Sequence, residues 1–348
     1  MKGVLSLARL TVASDGAHFL RDGKPFFWVG DTVWSAFTNA APEEWKEYLD
    51  FRKAQGFNAL QINTLPQWDR IRPDLGLYPY PLRRDGSLDY SADPNPRFLE
   101  KARLFCLMAA ERGFTPVLVV DWADIVPDTW LSAIFPTHIW PVDAVEEHAR
   151  RVACFFREFD PVYFVSGDTD FRGPLAEEYY LRTIRVLRAA DPHALLSMHL
   201  CGGFSDLSQT LADSLDFLVY QSGHVEGSEK TLESLPSTFL RNFPGKPLLN
   251  AEPCYEGMPH IPDGGNTPTG KIYGEADVLD ACRRSILAGA KAGITYGANG
   301  LWSWRRPGGK SSGLAASLYS EPDLWYDAMR YPGAEHISGL KALAYPED

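Results

Sequence analysis

The sequence predicts an α/β fold, a single-domain (β/α)8 TIM barrel, and three observations carry that expectation. Eight short runs of β-favouring apolar residues alternate with helix-like stretches along 348 residues. Such alternation is the pattern of a parallel sheet joined by crossover helices. Polar or aromatic residues stand where the runs stop. No Gly-x-Gly-x-x-Gly follows the first run, so the dinucleotide-binding form of an open, doubly wound sheet lacks support.

Taken in order, Met1 to about Lys24, with Asp22-Gly23 as a turn, reads as a small hairpin plugging the barrel bottom. Phe26 to Asp31 is the first strand, followed by a helix from about Pro42 to Gln55 that Gly56 closes. Asn58 to Asn63 is the second strand. The Pro-, Arg- and Asp-rich connection from Thr64 to about Asn95 is long enough to be expected to serve function. A helix from about Pro96 to Arg112 leads to the third strand, Thr115 to Asp121. A helix over Val142 to Glu158 precedes the fourth strand, Pro161 to Asp168, and one over Leu175 to Ala190 precedes the fifth, Leu195 to His199. Asp216 to Gln221 is the sixth strand and Lys246 to Glu252 the seventh. A helix over Glu275 to Ala292 leads to the eighth, Gly293 to Ala298, and helical stretches over Pro322 to Arg330 and Gly339 to Ala344 finish the chain. No linker, low-complexity tract or repeat interrupts this order, so residues 1–348 read as one domain without a C-terminal β-sandwich.

Composition narrows the function. A formal net charge of −11 argues against nucleic acid, whose phosphates call for a basic surface, and against an anionic membrane surface. No apolar run approaches the roughly 18 residues of a membrane span, and the start is too weakly apolar for a signal peptide. Five cysteines (Cys106, Cys154, Cys201, Cys254, Cys282) form no Cys-x-x-Cys, so neither a zinc site nor a disulfide framework is expected. These features together predict a cytoplasmic protein. Ten tryptophans and fifteen tyrosines are a heavy aromatic load, and Trp34, Trp68, Trp122, Trp140, Trp302 and Trp304 fall near predicted strand ends. Flat rings with a polar edge suit the apolar faces of sugars.

The strand ends carry the chemistry, because parallel barrels assemble their sites from residues at that face. Reading them off gives Asp31, Gln61, Asn63, Asp121, Trp122, Asp168, Asp170, His199, Tyr220, Gln221, Glu252, Trp302 and Trp304, with Glu256 four residues beyond Glu252. Strands four and seven lie roughly opposite each other in an eight-stranded barrel. Asp168 and Glu252 from their ends can flank a glycosidic bond with carboxyl groups about 5 Å apart, the separation for retention. One protonates the leaving oxygen and the other attacks or steadies the anomeric carbon. Asp170 competes with Asp168, and Glu256 with Glu252. Other chemistries fit less well: the first strand has no His-x-His, His199 and His224 lack a third histidine, and no metal is expected. No Gly-x-Ser-x-Gly supports a serine triad. Lys246 and Lys291 lie at a strand start and in a helix, the wrong places for a pyridoxal lysine, and no cofactor is expected.

The run Lys24-Pro25-Phe26-Phe27-Trp28-Val29-Gly30-Asp31-Thr32-Val33-Trp34 resembles the opening strand of the apiosidase-like barrels, glycoside hydrolase family 140 and its relatives. Gly56-Phe57-Asn58-Ala59-Leu60-Gln61 and Lys246-Pro247-Leu248-Leu249-Asn250-Ala251-Glu252-Pro253-Cys254-Tyr255-Glu256 do the same, and the resemblance runs from about Asp15 to Tyr331. It implies a clan A type barrel with a retaining mechanism, Asp168 as acid/base and Glu252 as nucleophile. It further implies Trp304 as the floor of the sugar subsite and Asp31 as a binder of substrate hydroxyls. The wider clan has Asn-Glu at the fourth strand where this chain has Gly167-Asp168; family 140 is similar to this chain in using aspartate. Many relatives carry a leader and a C-terminal β-rich domain. Neither is expected here, which points to an exo-acting enzyme on a small oligosaccharide or glycoside and leaves barrel surface for a second copy of the chain. The competing readings are a non-catalytic sugar-binding barrel and a barrel hydrolase or isomerase of another class.

Overall fold

The chain enters the fold through three short antiparallel strands, β1 (Leu10–Val12), β2 (Phe19–Arg21) and β3 (Lys24–Phe26). The computed structural model describes residues 9–67, 75–225, 227–261, 270–309 and 321–345. Phe26, expected in the first barrel strand, instead pairs with Phe19 in this small sheet. Phe19 is fully buried and meets Trp28 and Phe217 at 6.1 and 5.0 Å between ring centres. Trp28 in turn stacks on Phe164 at 6.3 Å. This aromatic layer fills the barrel near its N-terminal end.

Eight parallel strands follow: β4 (Trp28–Thr32), β5 (Ala59–Asn63), β6 (Thr115–Trp122), β7 (Val162–Gly167), β8 (Leu196–Ser197), β9 (Leu218–Gln221), β10 (Leu248–Glu252) and β11 (Gly293–Tyr296). Their order, β8-β7-β6-β5-β4-β11-β10-β9, follows the chain and brings β11 back to β4. The one seam, between β8 and β9, is held by individual bonds. The Asp216 N–H donates to Leu196 O at 3.0 Å, and the Ser197 hydroxyl to Phe217 O at 2.8 Å. The sheet is thus a nearly closed barrel, as the alternation predicted. Every residue of these eight strands is buried, inward and outward faces alike, which is why each reads as a near-continuous apolar run.

The outer layer is α1 (Ala36–Asn39), α2 (Pro42–Ala54), α3 (Pro96–Glu111), α4 (Trp130–Ile134), α5 (Val142–Phe156), α6 (Pro174–Ala190), α7 (Gln209–Ser214), α8 (Thr231–Asn242) and α9 (Glu275–Leu287). Local signals explain most of them. Pro42, Pro96 and Pro174 open helices, where a missing N–H costs nothing. Asn95 accepts the Arg97 N–H at 3.1 Å. In α5 the buried stripe Val145, His148, Ala149, Val152, Ala153, Phe156 keeps helical spacing. Two helices carry no clear periodic signal, although the Ser208 side chain caps α7 by accepting the Leu211 N–H at 3.2 Å. Pro236 lies inside α8 and breaks the pattern of a continuous helix, and α7 is too short to show a period. Among the described residues no helix is long and apolar enough to cross a membrane.

Candidate active site

Glu252 ends β10, and a register shift decides where it points. Asn250 sends its amide outward to the Ser285 hydroxyl on α9, at 3.1 Å. Strict alternation would send Glu252, two residues on, the same way. The pairing with β9 slips between Asn250 and Glu252, and this irregularity re-aims the carboxylate inward. There it meets two imidazoles. His224 Nε2 donates to Oε1 at 2.9 Å. His199 Nδ1 accepts the Asp168 N–H at 3.4 Å, and its Nε2 lies 3.3 Å from Oε2. Burial would push the Glu252 carboxyl up, but the hydrogen bonds and charges of His199 and His224 outweigh it and hold the group down at about 2. Glu252 is therefore ionised at neutral pH.

Asp168 stands one residue beyond β7 with a left-handed backbone, φ 52°. That conformation is uncommon outside glycine, and it breaks the strand's alternation where the side chain must turn into the barrel mouth. Its carbonyl accepts the Trp130 indole N–H at 2.7 Å. Gly167 before it has no alternative: a Cβ there would lie 2.2 Å from the Trp122 ring. His199 thus touches both carboxylate residues, the backbone of Asp168 and the side chain of Glu252.

Asp168 and Glu252 line one cavity of about 590 Å³. Trp34, Trp122, Trp130, Trp302 and Tyr255 supply its aromatic walls, with Gln67, Gln221, His224 and Lys230 as further polar lining. The Tyr255 hydroxyl accepts the Trp34 indole N–H at 2.8 Å, and its ring lies 4.4 Å from that of His224. Burial, then the charge of Glu252, raises the Tyr255 phenol well above its ordinary value, so it stays a neutral hydroxyl.

Of the residues expected at the site, Trp34, Trp122, Asp168, Gln221, Glu252 and Trp302 do line the cavity, and His199 supports it from behind. The others are corrected by their partners. Asp31 faces outward and receives Arg52 Nε at 2.6 Å and the Tyr48 hydroxyl at 2.8 Å, both from α2. Asp121 also faces outward, toward the Thr183 hydroxyl on α6 at 2.6 Å. Burial pushes it up to about 8. Tyr220 packs outward on Phe239 of α8. Gln61 and Asn63 are buried off the cavity; the Gln61 amide spans to Ala251 O at 3.1 Å. Asp170 is occupied by Arg172 Nε at 2.7 Å and the Trp130 N–H at 2.5 Å, which leaves Asp168 as the carboxylate after β7 that lines the cavity. Glu256 anchors the Tyr296 hydroxyl at 2.6 Å and the Gly333 N–H at 3.0 Å. Trp304 is wholly buried, stacked on Trp325 at 5.2 Å, and Trp302 takes the cavity position expected for it. Trp140 packs on Tyr80 and His148, and Trp68 lies outside the described residues.

Sequence reasoning missed His224, Tyr255, Trp130 and Gln67. From the sequence His224 reads only as a candidate metal ligand, and among the described residues no group of three or more His, Cys, Asp or Glu could hold a metal ion. Tyr255 had a signal, three residues past Glu252 on the same connection. Trp130 and Gln67 lie in connections whose paths only the folded chain defines.

The model of the apiosidase-like catalytic domain matches residues 14–346. The chain belongs to the apiosidase-like family. This member is similar in fold to a solved glycoside hydrolase, 24% identical over 97% of this chain and 74% of that one, TM-score 0.77. A family 5 glycoside hydrolase from Bacteroides vulgatus ATCC 8482 is 23% identical over 96% of this chain and 71% of that one, also at 0.77. A family 5 mannosidase from Rhizomucor miehei reaches 0.64 at 12% identity, covering 97% and 98%. No curated protein matches in sequence. At these identities the solved structures speak for the barrel, and the family match for glycoside hydrolysis. The apiosidase-like barrel here is a glycoside hydrolase.

Proposed function

We propose that this apiosidase-like enzyme is a retaining glycoside hydrolase with Glu252 as nucleophile and Asp168 as acid/base. It acts at the end of a small oligosaccharide or glycoside. The observation that carries the reading is the state of Glu252. A nucleophilic carboxylate must be ionised before substrate arrives, and the two imidazoles against Glu252 favour that state. Asp168 gives its proton to the leaving oxygen as Glu252 attacks the anomeric carbon. The leaving alcohol departs, and Asp168, now a carboxylate, takes a proton from the water that releases the sugar from Glu252. The aromatic walls suit sugar faces. A volume of about 590 Å³ falls within the roughly 300–1,000 Å³ of small-molecule sites, which favours a short substrate over a polymer.

The test uses a panel of nitrophenyl glycosides, pentofuranosides included. Glu252→Gly should lose more than about 10³-fold in kcat. With added azide it should yield the glycosyl azide of inverted anomeric configuration, whereas Asp168→Gly with azide should yield the retained one. Turnover by Glu252→Gly within tenfold of wild type, or an inverted first product from wild type, overturns the reading.

A further inference from the structure

Next to the acid the cavity is lined by Cys201, Gly202 and Gly203, two of them without a side chain. This inference rests on the roles proposed for Asp168 and Glu252. A proton from Asp168 goes to the leaving oxygen, so the group attached to that oxygen lies against the wall beside Asp168. That wall is defined by hydrogen bonds. The Asp168 N–H reaches His199, and the Cys201 N–H donates to Thr169 O at 2.8 Å, which ties the end of the fifth barrel strand to the acid's loop. The Gly203 N–H donates to Gln221 O at 2.9 Å, which ties on the next strand end. Trp130, bonded to the Asp168 carbonyl, flanks the acid as well.

Glycine at 202 is not something the fold requires. Gly203 and Gly223 have left-handed backbones, φ 76° and 79°, but Gly202 does not. A Cβ at Gly202 would lie 3.6 Å from Gly223 Cα and 3.8 Å from Gln221 Nε2, ordinary contact distances. What the missing side chain leaves is space in the cavity that Gly202 lines. Gln221 borders the same space. Its Oε1 is buried and has no hydrogen-bond partner among the described residues, an acceptor that a ligand hydroxyl would satisfy.

We infer that this wall is the leaving-group subsite, left open at Gly202 for a ring-sized group. Its hydroxyl donates to Gln221 Oε1. The leaving group is then a second sugar or a similarly hydroxylated ring, and Gly202 and Gln221 are specificity-determining residues.

Three substrates with one sugar, the one turned over in the panel, separate the terms: its glycosyl fluoride, its 4-nitrophenyl glycoside, and a disaccharide. The fluoride has no ring to seat, the nitrophenyl ring has no hydroxyl, and the disaccharide has both. Gly202→Leu should lower kcat/KM for both ring-bearing substrates relative to the fluoride by about tenfold or more, and Gly202→Ala by less. Gln221→Met should lower the disaccharide relative to the nitrophenyl glycoside by about tenfold. Melting temperatures of the Gly202→Ala and wild-type proteins should agree, and this variant keeps the test open if leucine impairs folding. Equal losses on all three substrates would place Gly202 against the cleaved sugar and overturn the inference while sparing the mechanism. No change on any of them would also overturn it. If wild type hydrolyses none of the panel, the proposed mechanism falls, and this subsite with it.

Discussion

The inward and outward sides of the barrel's strand ends hold the same kinds of residue and put them to opposite uses. Glu252 and Asp121 are both buried carboxyl groups near the end of a barrel strand. Glu252 faces the cavity, meets two imidazoles and is held down at about 2. Asp121 faces α6, receives one hydroxyl from Thr183 and is pushed up to about 8 by burial. The difference lies in the partners: two imidazoles overcome desolvation and one neutral hydroxyl does not. Tryptophan shows the same division. Trp302 lines the cavity, while Trp304, two residues on, is sealed among Trp45, Tyr48 and Trp325.

The tryptophan pair gives the largest expected effect. Trp304→Ala should cost about 3–5 kcal/mol of stability, as loss of a fully buried aromatic does, with KM unchanged in the molecules that fold. Trp302→Ala should do the reverse, raising KM about tenfold, or ~1.4 kcal/mol, with a small change in melting temperature. Denaturant melts and Michaelis curves on the two variants decide it, and matching profiles would erase the inward–outward distinction.

His224→Phe sharpens the carboxylate comparison. It keeps a ring beside Tyr255 but removes one donor from Glu252. Burial then has less to oppose it, and the Glu252 carboxyl rises. Activity that needs an ionised Glu252 should then show an acid limb at about pH 4–6, where wild type shows none. The stability linkage has a definite sign. With a folded value of about 2 against an ordinary 4.5, Glu252 contributes stability fully present above about pH 4.5 and lost as pH falls through about 2. An unshifted acid limb in the variant would mean that His224 does not hold Glu252 down.

Asp121→Asn is the smallest and the opposite case. A folded value of about 8 against an ordinary 3.8 makes the acid's contribution complete below about pH 3.8 and lost as pH rises through about 8. The neutral isostere escapes that loss and keeps the acceptor for Thr183. Its advantage over wild type should be absent near pH 4 and grow toward pH 8, by at most about 1.4 kcal/mol per unit. Urea melts across that range test it, and a variant less stable than wild type at pH 8 would show that Asp121 is ionised and needed.

All eight barrel strands were legible because each is a short apolar run bounded by turn formers, and helices such as α2 and α3 were legible from their proline starts and the glycines that close them. The cavity was half legible. Asp168, Glu252, Trp34, Trp122, Gln221 and Trp302 were found by position at the strand ends. Asp31, Asp121 and Tyr220 were found by the same rule and belong to the helix layer. The neighbours Asp121 and Trp122 divide outward and inward, as do Tyr220 and Gln221. In a sheet half exposed to water, alternation of polar and apolar residues would reveal which is which. In a barrel covered on both faces that alternation is absent, so the sequence carries no parity signal.

By itself, then, the sequence determined the barrel and the face on which the site lies, because strand and helix periods and turn residues are local properties. Only the tertiary structure decided which strand-end side chains share the cavity. The register shift at Glu252, the left-handed turn at Asp168 and the paths that bring His199 and His224 to one carboxylate depend on contacts between segments distant in the chain. No local pattern encodes those.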